Sequence, residues 1–148
     1  MKIIALAFAL SLSVLVPSAA RSEGAPPPSK PPELKQAVDV VVVTLVSTEA
    51  LKRAIRDPRP TNGSGTRGSG YGFPSGHTAL AFGLARVASE YQPKQRTLWY
   101  ALAARVAWSR VKRRAHGWDD VIGGALLGSW VGDTAVGSGG IVLRTWDW

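Results

Sequence analysis

Residues 33–56 read ELKQAVDVVVVTLVSTEALKRAIR, and how this stretch folds decides the class of the protein. The run from Val40 to Val43 suits a strand as well as a helix when taken alone. We read the whole stretch as a helix, stopped by Pro58 and Pro60 because proline lacks the N–H that would continue it. Three more helices are expected downstream. One runs from about Ser75 to Tyr91 and is stopped by Pro93. Another covers Arg96 to about Arg113. The last covers about Trp118 to Val136, where Gly123, Gly124 and Gly128 permit close helix contact. The expected fold class is therefore all-α, a compact helical bundle of about four to five helices.

The remaining segments are not core. TNGSGTRGSGYG, residues 61–72, is a glycine-rich loop, and the tail GSGGIVLRTWDW has no assignment. At the N-terminus, MKIIALAFALSLSVLVPSAA has one lysine, an apolar run and small residues at Ser18 and Ala20. That is the layout of a signal peptide, residues 1–20, cleaved after Ala20. It implies an exported, periplasmic protein; the alternative is membrane association through an uncleaved N-terminal segment. RSEGAPPPSKPP, residues 21–32, is a proline-rich spacer. Residues 33–148 form one domain.

The formal net charge is +8, with no cysteine and only two histidines in 148 residues. The absence of cysteine excludes a disulfide scaffold and a thiolate metal site. A basic surface points to an anionic partner, and export argues against nucleic acid. After residue 20 no uncharged segment is long enough to span a bilayer. Arg105 interrupts one apolar run and Asp133 ends another. Attachment to a membrane surface and association with a second copy of the chain stay open.

Three clusters carry chemistry. In KRAIRDPRP, residues 52–60, Lys52 and Arg59 lie seven apart, and the prolines redirect the chain so that both cations can converge. A basic helix end that merely favours the helix dipole is the plainer reading of that cluster alone. In PSGH, residues 74–77, Ser75 as N-cap leaves the following amides for an anion. Gly76 allows close approach of a ligand, and His77 stands at the mouth of the helix. In SRVKRRAHGWDD, residues 109–120, His116 and Asp120 are four apart and share a face if a helix begins nearby. A carboxylate on one imidazole nitrogen fixes the tautomer and leaves the other nitrogen as a nucleophile. Asp119 is a competing partner. Arg113 and Arg114 read as a solvated basic turn. The closely spaced histidine pair of a zinc site, a phosphate-binding Walker loop and a nucleophile elbow are all missing.

In order, Lys52 with six residues then Arg59-Pro60, Pro74-Ser75-Gly76-His77, and Ser109-Arg110 with five residues then His116 and, three more on, Asp120 resemble a known three-part signature. It is that of the type 2 phosphatidic acid phosphatase superfamily, which includes bacterial non-specific acid phosphatases, lipid phosphatases and vanadium haloperoxidases. The resemblance implies a phosphate site at helix ends and a metal-independent phosphatase with no cofactor. Lys52, Arg59 and Arg110 would bind phosphoryl oxygens, aided by Ser75 and the Gly76 amide. His116 would form a phosphohistidine, Asp120 would orient it, and His77 would protonate the leaving group. The substrate would be a phosphomonoester or pyrophosphate, soluble or lipid-linked. A vanadate-dependent haloperoxidase and a non-catalytic anion-binding surface protein are the alternatives.

Overall fold

The valine run is helical. The computed structural model describes residues 33–60 and 70–139, and among them are four helices: α1 (Glu33–Ile55), α2 (Gly76–Tyr91), α3 (Arg96–Lys112) and α4 (Trp118–Ser138). A single 3₁₀ turn, Pro93–Gln95, joins α2 to α3. The described residues contain no strand, only an isolated antiparallel bridge between Pro58 and Tyr71. The fold is all-α, as expected. The signal segment 1–20, the spacer 21–32, residues 61–69 of the glycine loop and 140–148 of the tail lie outside the described residues.

Helix ends follow local chemistry. α1 stops at Ile55, where Arg56 takes a left-handed conformation (φ 54°) and its N–H caps the Lys52 carbonyl at 2.9 Å. Such an ending leaves room for the proline that follows two residues later. α4 ends at Gly139 in the same left-handed region, φ 72°, which glycine enters without steric cost.

α2 is central and packs against each of the other helices, most extensively against α4. These two run parallel, because Gly124 faces the Ser75 carbonyl, Gly128 the Ala79 carbonyl and Gly132 the Gly83 carbonyl. A Cβ on Gly124 would stand 2.5 Å from Ser75 O, and one on Gly128 would overlap Ala79 O outright. Spaced four apart, these glycines form one face and let two backbones touch. Across α1 and α2 the Tyr91 hydroxyl donates to Gln36 Oε1 at 2.9 Å, so that pair is antiparallel. Phe82 and Tyr100 meet edge-on at 6.2 Å between α2 and α3.

The two ends of this bundle differ in character. One holds the apolar core of Val40, Val87, Val131 and Ala135, flanked by Val43, Tyr91, Leu127 and Trp130. Burying each valine stabilises the fold by about 1.5 kcal/mol or more. Towards the other end many buried side chains are polar, Thr44, Thr48, Ser75, Thr78, His116 and Asp120, set among Phe73, Ala79 and Val121. There the N-termini of α2 and α4 meet the C-termini of α1 and α3. None of the helices among the described residues is long and apolar enough to cross a membrane.

Candidate active site

The N-termini of two parallel helices give the polar end a field that favours anions. Ser75 is the N-cap of α2, but its side chain makes no capping bond. Its N–H donates to the Asp120 carbonyl at 2.9 Å, tying the start of α2 to the start of α4. Ser75 was expected among the phosphate contacts, yet it is wholly buried and its hydroxyl accepts the Thr78 hydroxyl at 3.0 Å. Gly76 is half-buried and His77 exposed. The outward-facing groups of this motif are thus the first amides of the helix and the His77 ring.

His116 is not on a helix. It sits in the turn between α3 and α4, where its own N–H and that of Ala115 point at the Arg110 carbonyl at 3.4 and 3.0 Å. α4 begins two residues later with Gly117 as N-cap, which makes Asp120 the third helical residue. From there the Asp120 carboxylate folds back: Oδ2 accepts the Gly117 N–H at 2.8 Å and lies 3.3 Å from His116 Nδ1. Residue 116 is 5 % exposed and residue 120 is 2 % exposed, so this pair is shielded from water. When His116 is neutral, a carboxylate that only accepts puts the ring proton on Nδ1 and leaves Nε2 its lone pair.

Gly72 makes room for this arrangement. A Cβ there would come within 2.9 Å of Asp120 Oδ2 and 3.3 Å of Oδ1. The segment around it is stitched to the end of α1: the Gly72 N–H donates to the Asp57 carbonyl at 2.6 Å. Lys52 Nζ reaches the Tyr71 carbonyl at 2.9 Å and the Gly72 carbonyl at 3.3 Å. Arg59 Nε reaches the same Tyr71 carbonyl at 3.4 Å. Both cations of the first motif therefore converge on one oxygen, held between the first and second motifs. Partial burial, then the nearby Arg59 charge, push the Lys52 ammonium below the usual lysine range, against the pull of Asp120 and Glu49.

The third motif completes the cluster. His77 is pushed below the usual histidine value first by loss of water around its ring. Next come the positive charges of Arg110, His116, Arg59 and Lys52. Those four groups, from two other motifs, all act on one imidazole, so the three motifs meet at one end of the bundle. Arg110 lies in the last turn of α3, half-buried, with Nε 3.4 Å from Ser109 Oγ.

Two features were not legible in the motifs. One is the Tyr71 carbonyl as a common acceptor for Lys52 and Arg59. The other is a group of carboxylates: Asp57, Asp119 and Asp120 each bring an oxygen within 4.8 Å of the others. Asp57 is far away in sequence and is tied to this segment by the Pro58–Tyr71 bridge and the Gly72 N–H. Lys52 and Arg59 stand beside this group, and their charge opposes a cation there.

The family model described as the PAP2 superfamily matches residues 34–135, well over half of the chain. No curated protein and no solved structure matches it. The matched span runs from the first turn of α1 to near the end of α4 and contains every residue of the cluster, and so the chain belongs to the PAP2 superfamily.

Proposed function

We propose that this protein is an exported phosphatase that cleaves phosphomonoesters or pyrophosphates through a phosphohistidine, without a metal ion. The observation that carries the reading is the buried pair of His116 Nδ1 and Asp120 Oδ2, 3.3 Å apart, at the start of α4, tied by the Ser75 N–H to the start of α2. Family membership supports phosphatase chemistry in general. The leader-like residues 1–20 support export.

In this reading the phosphoryl group of the substrate binds among Lys52, Arg59, Arg110 and the amides of Gly76 and His77. Ser75 acts mainly as the buried cap that aims those amides. Three cations and two helix N-termini offset charge that spreads over the equatorial oxygens during transfer. His116 Nε2 attacks phosphorus in line, forming a P–N bond as the P–O bond to the leaving group breaks. His77 gives its proton to the departing oxygen. It then takes a proton from water, whose oxygen attacks phosphorus and breaks the P–N bond, releasing inorganic phosphate. Asp120 stabilises the imidazolium as charge develops on His116.

The test is His116→Ala, assayed for release of phosphate from p-nitrophenyl phosphate, with acid-labile phosphoenzyme trapped in the parent protein. Loss of both activity and trapped phosphate, with helical circular dichroism unchanged, is expected. Full turnover in the variant would rule out the histidine nucleophile.

A further inference from the structure

The polar end carries a second feature that the phosphate site does not use. Trp108, in α3, and Trp118, the first residue of α4, pack against each other with ring centroids 5.8 Å apart. Their residues are nevertheless 56 % and 55 % exposed. Tryptophans are rarely left this open as a pair, since together they represent a large apolar area in water. Behind Trp118 the same stripe of α4 continues with Ile122 and Leu126, both exposed. On α3 Arg105 and Lys112 lie about one turn to either side of Trp108, and Arg113 and Arg114 follow the helix end; all four are exposed. None of these four forms an ion pair with a described residue. Asp119 and Asp120 follow Trp118 in the first turn of α4, and Asp120 is buried against His116.

We propose that this end of the bundle is a docking surface for an anionic lipid bilayer. The Trp108–Trp118 pair enters the interface, and Arg105, Lys112, Arg113 and Arg114 meet the headgroup phosphates. Charge complementarity selects this occupant. Indole rings with one apolar body and one N–H settle at headgroup depth, and clustered Lys and Arg are attracted to an anionic leaflet. A second copy of the chain fits less well, because a two-fold contact would place like charges opposite each other. On a separate apolar stripe of α1, through Val42, Leu45 and Val46, the cation further along, Arg53, is already paired with Glu49. Docking at the tryptophans would set the exposed His77, at the same end, against the membrane surface. The proposal does not depend on the phosphatase reading, because it concerns adsorption and not turnover.

The experiment is sedimentation of the full chain with vesicles of phosphatidylcholine alone, or with about a third phosphatidylglycerol, at ~0.1 M salt. Partitioning onto the anionic vesicles is expected to exceed that onto neutral ones by about tenfold or more. Trp108→Ala/Trp118→Ala and, separately, Arg113→Gln/Arg114→Gln should each lower it by about tenfold with helical circular dichroism unchanged. Equal binding to both vesicles, or undiminished binding in both variants, overturns the proposal. So does loss of binding in Leu45→Gln/Val46→Gln with retention in the tryptophan variant, which would move the contact to α1. A dimer that the tryptophan variant dissociates, with no vesicle binding in the parent, would instead make the surface a self-contact and also overturn it.

Discussion

Asp120 holds His116 through the same carboxylate oxygen that caps the helix beginning between them: Oδ2 is 3.3 Å from His116 Nδ1 and 2.8 Å from the Gly117 N–H. One side chain thus performs two tasks. It ends the orphaned amide at the start of α4, and it fixes which nitrogen of His116 carries the proton. At 3.3 Å the bond to His116 is slightly longer than the usual range, as is common before a substrate tightens the site.

Replacing that oxygen with an amide should separate the tasks. Asp120→Asn is expected to lower kcat by about 10²–10⁴-fold, because the amide stabilises the imidazolium poorly and favours the wrong tautomer. Thermal stability should fall far less, by about 1 kcal/mol for a weakened cap. Steady-state kinetics and a melting curve on the same preparation measure both.

The pH behaviour of His77 has a defined sign. Loss of solvent, then Arg110, His116, Arg59 and Lys52, lower its pKa in the folded chain. The unfolded chain therefore binds more protons between the lowered value and the ordinary 6.5, and stability rises with pH through that window. His77 is consequently neutral in the empty site at neutral pH. A bound phosphate dianion reverses the local charge and should raise its pKa, protonating it for its role as acid. The chain has only two histidines, so the ring-proton titration is simple to follow by NMR. The His77 midpoint should lie below 6.5 alone and move upward with inorganic phosphate; no movement would remove the phosphate from its neighbourhood.

Chelation and vanadate probe the carboxylates beside the site. The oxygens of Asp57, Asp119 and Asp120 lie within 4.8 Å of one another, while Lys52 and Arg59 oppose a cation. EDTA should leave phosphate release from p-nitrophenyl phosphate intact, and vanadate should inhibit it by occupying the anion site. Loss of activity on chelation would return a metal ion to the mechanism. Vanadate-dependent bromide oxidation would favour a haloperoxidase.

The contact between α2 and α4 should tolerate no side chain at its centre. Gly128→Ala puts a methyl group into the Ala79 carbonyl, and neither backbone can yield without disturbing the other glycines. Destabilisation of about 3 kcal/mol is expected from overpacking of this kind. Denaturant unfolding gives the value. Since Ser75 and Asp120 ride on these helices, activity should fall in parallel with the population of folded protein.

The helices were legible because each has local causes. Pro58 ends α1, and Ser75 and Gly117 start α2 and α4 where apolar periodicity resumes. The ends moved by only one or two residues, at Ile55, Lys112 and Ser138. The ambiguity of Val40 to Val43 is resolved by surroundings that the run itself does not contain. As a helix, α1 puts Val40 against Val87 and Val131, and the described residues offer no strand to pair with. Ser75 was legible as the N-cap of α2, whereas its burial and its bond from the Thr78 hydroxyl were not.

By itself, the sequence determined the order and spacing of Lys52, Arg59, Ser75, Gly76, His77, Arg110, His116 and Asp120, and the local turns that carry them. Those depend on interactions among near neighbours, which a linear pattern encodes. Only the tertiary structure decided that the three motifs share one end of the bundle. It also decided that Lys52 and Arg59 meet on the Tyr71 carbonyl, that Asp57 joins Asp119 and Asp120, and that the two tryptophans lie open beside them. The junction of the second and third motifs depends on α2 and α4 running parallel in backbone contact. That contact comes from Gly124, Gly128 and Gly132 finding carbonyls dozens of residues away.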